Sequence, residues 1–365
     1  MKFTENASSR LKHNSATFAA ILCVATTGLL ASEYPEMKRL VPVPADQPIP
    51  IFDFVRPPQF GAVHLNHTGT TVGAIVPGNA DARSLVTYNL STQLLDGVSA
   101  PQGDQEISSF EWLDGDRLAY LDTFGKGESV GVLFLSSAGK LAEAETVGIQ
   151  GAAGVVQLLG NTPEDRSQFL VNLKGFNFRY DHPELINAKA HGSLITRYPD
   201  LKTDHGFNIV FWPNKVNLLE YGITQEDGIL ALHHLEGENW VKSPIDVDQV
   251  DVFDSGDNPG EIVGLGARDG NSPRPLEYID VATGQAKEIL LQDKGYDFHG
   301  TIYRDPVSHN IVGAAYDRAA PHIVWFTQGY RDLQKVLDGL FPNQVVRIVD
   351  MDDAGKVVLI SSWSD

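Results

Sequence analysis

Short runs of apolar residues, separated by turns rich in glycine, aspartate and asparagine, recur along most of the chain. Residues 110–121 read FEWLDGDRLAYL and residues 130–140 read VGVLFLSSAGK, with turns between the apolar runs. The same arrangement returns in EIVGLGA at 261–267 and PLEYIDVATGQ at 275–285. Many short strands with turn signals about 8–12 residues apart predict an all-β fold.

These runs also form larger repeating units. Each unit has a turn, a strand, a second turn and a strand that ends near Thr-Gly or Ala-Gly. Self-similarity at a period of about 40–50 residues indicates a β-propeller with one blade per repeat. At about 45 residues per blade, residues 48–365 predict a propeller of about seven blades.

One stretch, GYRDLQKVLDGLFPN at 329–343, departs from the strand pattern. Its apolar residues at i, i+3, i+4 and i+7 are Leu333, Val336, Leu337 and Leu340. This spacing predicts one short helix near 331–341, whose apolar face packs on the edge of a blade.

The final blade is expected to be incomplete. Residues 345–349 and 356–362 predict two strands, and too few residues follow for two more. Residues 49–54 are a candidate for one further strand from the N-terminus. We therefore expect an open edge with exposed apolar residues of VVLISSW, which would make the chain prone to self-association.

The N-terminus has the pattern of an export signal. Basic residues precede the apolar run FAAILCVATTGLLA at 18–31, which is too short for a membrane-spanning helix of about 20 residues. A basic segment, an apolar run and a small-residue end are typical of a secretory signal peptide, so we expect a periplasmic or secreted protein. The predicted organisation is a signal peptide at 1–31, an extended Pro-rich lead-in at 32–47 and a propeller domain at 48–365.

Composition narrows the classes of function. The net charge of −19 argues against nucleic acid and anionic membranes as partners, because phosphate binding needs patches of Lys and Arg. The only cysteine, Cys23, lies in the predicted signal peptide. The mature chain is therefore expected to lack disulfides and thiolate metal ligands.

With its units in order, the chain resembles the N-terminal β-propeller of the prolyl oligopeptidase (S9) family of serine peptidases, in the branch with acylaminoacyl-peptidase and dipeptidyl-peptidase. PIPIFDFVRPPQFGAVHLNHTGTTVGAIV is similar to the family's opening D-F-x-x-P element and first L-S-P-D-G strand. ISSFEWLDGDRLAYL is similar to its W-x-x-D-x-x-L-x-Y blade, and GYDFHGTIYRDPVSHNIVGAAYD and FPNQVVRIVDMDDAGKVVLISSWSD are similar to its late blades. The resemblance extends from about Pro48 to Asp365.

The chain departs from the family pattern in three places. His67-Thr68-Gly69 replaces the usual Pro-Asp-Gly turn, and ELINAKAHGS at 184–193 replaces a regular strand, so we expect an irregular third blade. Family members continue beyond the equivalent of Asp365 into an α/β-hydrolase domain that carries the Ser, Asp and His triad. The sequence has no match to that domain.

The resemblance implies a non-catalytic propeller that covers an active site and restricts access to short peptides. We therefore expect the substrate-gating domain of an exported serine peptidase, truncated or split from its hydrolase half. The alternative is a stand-alone periplasmic propeller that binds a protein or peptide partner, as TolB-like and WD40-like propellers do. Expected partners are peptides, or a hydrolase domain or other protein; no nucleic acid, membrane span or cofactor is expected.

Ser129 lies in GESVG, a match to the G-x-S-x-G nucleophile elbow of serine hydrolases. An elbow needs a buried strand before the serine and a helix after it. Here the preceding DTFGK is polar, and the following VGVLFLSSAGK predicts a strand. We therefore interpret GESVG as a hairpin loop within a blade, without a catalytic role.

We predict no catalytic, cofactor-binding or metal-ligating residue elsewhere in the sequence. The acidic stretches at 246–257 and 350–355 lack the ligand spacing of a calcium loop and predict turns. The adjacent His233 and His234 point to opposite faces of a strand, so they cannot share a metal. The remaining candidates are the pair His64 and His67, interpreted as structural, and the glycosylation sequons at Asn66 and Asn89, interpreted as unused.

Overall fold

The structure is a computed structural model that describes residues 61–77, 83–99, 105–114, 117–124, 127–135, 141–146, 152–162, 165–175, 180–187, 193–202, 210–212, 219–266, 273–319 and 321–363. The predicted signal peptide at 1–31, the lead-in at 32–47 and the candidate strand at 49–54 lie outside the described residues.

Within the described residues, seven antiparallel sheets follow one another along the chain, and each is a meander of consecutive strands, except that the last strand of the third sheet does not pair with the strand before it. The first four sheets are blades 1 to 4; blade 1 comprises β1 (Val63–Leu65), β2 (Thr71–Pro77), β3 (Arg83–Asn89) and β4 (Leu94–Ser99), and blade 2 comprises β5 (Gln105–Trp112), β6 (Arg117–Phe124), β7 (Gly127–Leu135) and β8 (Leu141–Thr146). Blade 3 comprises β9 (Ala152–Asn161), β10 (Gln168–Gly175), β11 (Tyr180–Asn187), β12 (Ser193–Arg197) and β13 (Leu201–Lys202). Blade 4 comprises β14 (Val210–Trp212), β15 (Tyr221–Glu226), β16 (Ile229–Glu236) and β17 (Asn239–Lys242).

The remaining sheets, blades 5 to 7, are smaller toward the C-terminus. Blade 5 comprises β18 (Val252–Ser255), β19 (Glu261–Leu265), β20 (Leu276–Asp280) and β21 (Ala286–Leu291). Blade 6 comprises β22 (Gly300–Arg304), β23 (Ile311–Asp317) and β24 (Pro321–Trp325). Blade 7 comprises β25 (Val345–Met351) and β26 (Val358–Trp363). Within the described residues, five blades thus have four or five strands, blade 6 has three and blade 7 has two.

The predicted β-propeller is confirmed by this arrangement. The second strands of blades 5 and 6, β19 and β23, are buried along almost their whole length, whereas the outer strand β21 is mostly exposed. Inner strands are buried on both faces because each blade lies between two others. This is why they are nearly continuous apolar runs in the sequence rather than alternating ones.

Apolar clusters join successive blades. Ile75 and Leu85 of blade 1 pack against Phe110 and Trp112 of blade 2. Equivalent clusters join each later pair up to blades 6 and 7, and contain in turn Phe169, Leu219, Ile262, Tyr316 and Trp325. Burial of apolar surface between blades is therefore the main force that holds the propeller together.

Blade 3 has the irregularity that its sequence predicts. Its strand β10 pairs with β9 through several register shifts, and β11 pairs with both β12 and the short β13. The stretch at 184–193 begins inside β11, where pairing with β12 shifts between Leu185 and Ile186.

Blade 7 consists of the two predicted strands, but their apolar side chains are less exposed than expected. Val358 is buried, and Leu359, Ile360 and Trp363 are half-buried. Ile360 packs with the cluster between blades 6 and 7, and the guanidinium of Arg347 lies 5.1 Å from the centre of the Trp363 ring. These contacts cover surface that the sequence alone left open.

The predicted helix is present as α1 (Gln328–Leu340), but it is rotated relative to the predicted face. Val336 and Leu340 are 46% and 43% exposed. Leu333 and Leu337 of the predicted face point inward, and the other inward residues are Tyr330, Gln334 and Phe341. The cause lies in specific contacts with blades 6 and 7, because the Tyr330 ring stacks on Trp325 and Gln334 forms hydrogen bonds to Trp325 and Val346.

Candidate functional site

Ser129 lies inside strand β7, where it pairs in register with Asp122 of β6. All five residues of GESVG belong to this strand. The predicted hairpin is present, although GESVG is its second strand and not its loop. The backbone here lacks the strand-to-helix turn of a nucleophile elbow, so the geometry does not support catalysis by Ser129.

Three aspartates of the acidic stretch at 246–257 form ion pairs with arginines from neighbouring segments. Asp251 forms an ion pair with Arg274. Asp254 and Asp257 lie 3.0 and 3.5 Å from the guanidinium of Arg304 in blade 6. Over the described ranges, no cluster of three or more His, Cys, Asp or Glu side chains is suited to a metal ion.

His233 and His234 lie on β16 and have separate partners. The Nε2 atom of His233 is 3.0 Å from Thr224 Oγ1, and that of His234 is 2.8 Å from Glu236 Oε1. Adjacent strand positions therefore direct the two rings to different neighbours, as the sequence predicts.

Two other candidates from the sequence, the His64 and His67 pair and the acidic stretch at 350–355, meet where blade 7 contacts blade 1. His64 Nδ1 lies 3.6 Å from Asp350 Oδ2, and His67 Nδ1 lies 3.6 Å from Asp353 Oδ1. Residues from blades 2 and 3 join them. We call this group the axial cluster; it comprises His64, His67, Glu111, Asn161, Arg166, Asp350 and Asp353.

The cluster is built from hairpin turns between the first and second strands of the blades. In blade 1, Asn66 Oδ1 accepts hydrogen bonds from the backbone N–H groups of Thr70 and Thr71, at 2.8 and 3.0 Å. Gly69 adopts a φ of 70° in the same turn, a conformation that favours glycine. The asparagine side chain thus caps the turn that carries His67.

Other blades fix the equivalent turn with an aspartate. Asp352 Oδ1 accepts hydrogen bonds from the N–H groups of Lys356 and Val357, at 2.6 and 2.8 Å, and so positions the adjacent Asp353. Asp165 accepts from the N–H of Ser167 at 3.1 Å and positions Arg166. Side-chain-capped turns of this kind hold the polar residues of the cluster in place.

The sequon at Asn66 is not available in the folded chain. The residue is only 1% exposed, and its side chain is used within its own turn. Asn89 is half-buried, and its Oδ1 accepts from the N–H groups of Ser91 and Thr92 at 2.9 and 3.0 Å. The structure gives both asparagines a role in turns.

Hydrogen bonds join blades 1, 2 and 3 at the axis. The backbone carbonyl of Trp112 accepts from Asn161 Nδ2 at 2.7 Å, and His67 Nε2 lies 3.2 Å from the same oxygen. A side chain from blade 1 and one from blade 3 therefore converge on one carbonyl group of blade 2.

Arg166 crosses the axis. Its Nη1 atom forms an ion pair with Asp353 of blade 7, and its Nη2 atom donates to the carbonyl of Pro306 in blade 6 at 3.1 Å. Blade 3 is next to neither of these blades in a ring of seven. The side chain is 18% exposed, so a single largely buried arginine joins three blades at this end of the propeller.

The electrostatics of the cluster are set by burial and by Arg166. Burial lowers the pKa of His67, and the charge of Arg166 lowers it further. The neighbouring carboxylate of Asp350, 3.6 Å from Nδ1, raises the pKa of His64. Burial raises the pKa of Glu111 to about 7, with Asp350 adding to the shift and with His64 and Arg166 opposing it. Part of the cluster therefore titrates near neutral pH.

Sequence reasoning singled out both histidines and the acidic turn but missed Glu111, Asn161 and Arg166. The cluster is a group of polar and charged side chains whose contacts link blades 1, 2, 3, 6 and 7. Within the described residues it contains no serine, threonine or cysteine beside a base, which nucleophilic catalysis requires.

No protein-family profile matches the chain, and no curated protein is similar to it in sequence. Within the residues described, no helix has both the length and the apolar character needed to span a membrane.

Solved propeller structures of peptidases are similar to the chain in fold. The β-propeller domain of the Trilobed protease from Pyrococcus furiosus has 11% identity and a TM-score of 0.49, over 74% of this chain and 81% of that one. Acylaminoacyl peptidase from Pyrococcus horikoshii has 11% identity and a TM-score of 0.44, over 84% of this chain and 51% of that one. A prolyl endopeptidase has 12% identity and a TM-score of 0.46, over 84% of this chain and 41% of that one.

The chain thus spans about half or less of the length of the latter two peptidases. The seven sheets of the described residues establish the propeller on their own. The Dos1 propeller is also similar to the chain, with 10% identity and a TM-score of 0.47, over 73% of this chain and 70% of that one.

Proposed function

We propose that the chain is a non-catalytic propeller that controls the passage of short peptides along its axis, as the gating domain of an exported prolyl-oligopeptidase-type peptidase does. The observation that carries this proposal is the position of Arg166, which joins blades 3, 6 and 7 across the axis. A gate needs a closed state that opens at small cost.

The energetics of the axial cluster suit such a gate. An ion pair that is partly open to solvent contributes about 0–1 kcal/mol, and a typical hydrogen bond about 0.5–1.5 kcal/mol. The apolar clusters between blades are far more costly to open, since burying one large apolar side chain stabilises by about 1.5–3 kcal/mol. Opening at the axis can therefore occur while the blades stay intact.

Cysteine accessibility tests the proposal. In a Cys23→Ser background, Glu111→Cys places the only thiol at the axis. We expect a small maleimide to react readily and a peptide-linked maleimide to react slowly. Arg166→Ala should raise the reaction rate of the peptide-linked maleimide by about fivefold. Its contacts stabilise the closed state over the open one by about 1 kcal/mol, and the loss of that free energy corresponds to this factor.

Arg83→Ala is the matched control, because Arg83 pairs with Glu106 at 2.8 Å and both side chains are exposed. It should leave both rates unchanged. If the peptide-linked reagent reacts as fast as the small one in the parent, or if Arg166→Ala changes neither rate, the axis is not a gate.

Export is part of the same proposal and rests on the apolar run at 18–31. Residues 1–35 fused to a reporter should direct it across the inner membrane, with cleavage near Ser32. An uncleaved fusion retained in the cytoplasm would contradict this.

A further inference from the structure

Blade 6 has one strand fewer than the blades before it. The described residues run without a gap from 321 to 363, and after β24 the chain turns directly into α1 instead of a fourth strand. In blade 5, β21 holds that fourth position. Within the described residues, β23 is the only strand that pairs with β24. The third strand of blade 6 therefore has an outer edge that no described strand covers.

The pairing with β23 shows which backbone groups of β24 point to this edge. The N–H of Phe326 donates to the carbonyl of Val312 in β23 at 2.8 Å. Successive residues of an antiparallel strand direct their backbone groups to alternate sides, so those of Val324 also point toward β23. The backbone groups of Ile323 and Trp325 therefore point to the outer edge.

The edge is suited to pairing with another strand. Natural edge strands are protected by charged residues, prolines or bulges. β24 reads PHIVW, which contains no Asp, Glu, Lys or Arg, and it pairs with β23 without a bulge. Its two ends are marked by Pro321, which has no N–H, and by Arg331 of α1, which donates to the carbonyl of Trp325 at 2.8 Å. Between these ends, the N–H and C=O of Ile323 and the N–H of Trp325 are directed outward.

Blade 5 has a cavity of about 320 Å³ on the side that faces this edge. Two residues in its lining, Tyr278 and Leu290, belong to the same apolar cluster as Val324 of β24. A third, Asp257, accepts the hydroxyl of Tyr278 at 2.8 Å and the N–H of Ile311 in blade 6 at 2.9 Å. The cavity and the edge of β24 therefore adjoin.

The cavity carries a negative charge. Three carboxylates, those of Asp257, Glu261 and Glu288, line it together with the ammonium group of Lys287. That ammonium group is already shared between Glu261, at 3.1 Å, and Asp280, at 3.2 Å. A basic side chain beside the edge of β24 is thus favoured over an acidic one.

We propose that an extended segment of a partner protein pairs with the outer edge of β24 as the fourth strand of blade 6, and places a lysine or arginine side chain in the cavity of blade 5. The residue opposite Val324 would lie on the same face as Val324, toward blade 5. Its aliphatic stem can pack on Leu290 while its charge reaches the carboxylates.

The charge of the chain distinguishes between possible occupants of the edge. A second copy of this chain would bring a net charge of −19 to an acidic cavity, which opposes association. A basic segment of another protein is attracted instead. The surface lies at the outer strands of blades 5 and 6, so the inference does not depend on a gate at the axis.

The probe is a labelled octapeptide of alternating threonine and valine in which one central valine is replaced by lysine. Its matched control has norleucine at that position. Fluorescence anisotropy with the full chain should give about threefold tighter binding of the lysine peptide, as expected for an ion pair near the surface. Glu288→Gln should remove this preference, and Glu238→Gln, the same change on an exposed turn, should keep it.

A variant of β24 tests the strand pairing itself. Ile323→Pro removes an N–H that points outward, and proline is tolerated on an edge strand at such a position. It should weaken binding of the lysine peptide by about tenfold through lost backbone hydrogen bonds. Ile323→Ala shortens the same side chain but keeps the N–H, so it should have a much smaller effect. Equal weakening by the two variants would contradict strand pairing.

Amide hydrogen exchange locates the bound peptide. Saturating lysine peptide should slow exchange at Ile323 and Trp325 and leave Val324, which already pairs with β23, unchanged. Absence of binding, equal affinity for the two peptides, or binding without protection of Ile323 would each overturn the inference.

Two further results would assign the edge to a different occupant and so contradict the proposal. If the amide of Ile323 exchanges as slowly as that of Val324 in the chain alone, another part of the chain already covers the edge. If the chain alone sediments as a dimer and Ile323→Pro makes it monomeric, a second copy covers it.

Discussion

The junction between blades 5 and 6 and the junction between blades 7 and 1 are built in opposite ways. The first is filled by buried residues such as Val263 and Tyr316. At the second, the described residues form no such apolar cluster, and hydrogen bonds join the blades: the N–H of Leu65 donates to Asp350 at 2.9 Å, and the N–H of Asp353 donates to the carbonyl of His67 at 3.1 Å.

This difference shows where the ring should open first. Apolar burial is non-directional and roughly proportional to area, so an apolar junction tolerates small displacements. Hydrogen bonds are lost when their geometry is lost, but water replaces them at small net cost. The axial cluster lies at the polar junction, which is where the proposed gate would open without unfolding a blade.

The largest expected effect is at an apolar junction. Phe169 is fully buried between blades 2 and 3. Phe169→Ala should lower the free energy of unfolding by about 3–5 kcal/mol through lost burial and a cavity. Chemical denaturation measures this, and Phe169→Leu should lose much less. Equal losses would argue against a tightly packed junction.

A smaller effect is expected at the polar junction. Asp350→Ala should lower the free energy of unfolding by about 1–3 kcal/mol, because the N–H of Leu65 loses its hydrogen-bond acceptor. Asp350→Asn retains an acceptor and should cost less. Asp317→Ala is the control, because Asp317 is 75% exposed and lies 3.4 Å from Arg347. If Asp350→Ala lowers the free energy of unfolding no more than this control does, the polar contacts at the junction do not stabilise the ring.

Glu111 makes stability depend on pH in a defined direction. Its pKa is raised from 4.5 when unfolded to about 7 when folded. The contribution of Glu111 to the free energy of unfolding is therefore fully present below about pH 4.5 and is lost as the pH rises through about 7. After allowance for screening of a half-buried group, the loss is about 1–2 kcal/mol. Glu111→Gln should reduce the fall in unfolding free energy between pH 5 and pH 8 by this amount; an unchanged profile would show that Glu111 is not desolvated.

No effect is expected at Ser129, which lies within a paired strand. A fluorophosphonate probe should not label it, as intact-mass measurement would show. Stoichiometric labelling that Ser129→Ala abolishes would contradict the structural assignment.

Much of the fold was predictable because local pattern determines it. Apolar runs such as EIVGLGA became the buried β19, and the residues around Ser129 became a strand rather than an elbow. The helix was predictable in position but not in rotation. Its inward face depends on Tyr330 and Gln334 meeting Trp325, a contact with blade 6 that the spacing of leucines does not show.

The axial cluster was predictable only in part. Arg166 and Asp353 are 187 residues apart in the chain, and no local pattern links them. Glu111 lies in a strand whose neighbours are apolar, where a single carboxylate resembles an ordinary surface position. The available signal was the recurrence of Asn or Asp at the start of the inner turns, as at Asn66 and Asp352, which places their neighbours at one end of the propeller.

Native-state hydrogen exchange tests the central claim, that the ring opens at the polar junction under the control of Arg166. The amides of Leu65 and Asp353 should exchange with a lower opening free energy than that of Val263, which is fully buried in β19. Arg166→Ala should accelerate exchange at the two junction amides by about fivefold and leave Val263 unchanged. Equal opening free energies at all three amides, or acceleration of all three alike by Arg166→Ala, would contradict it.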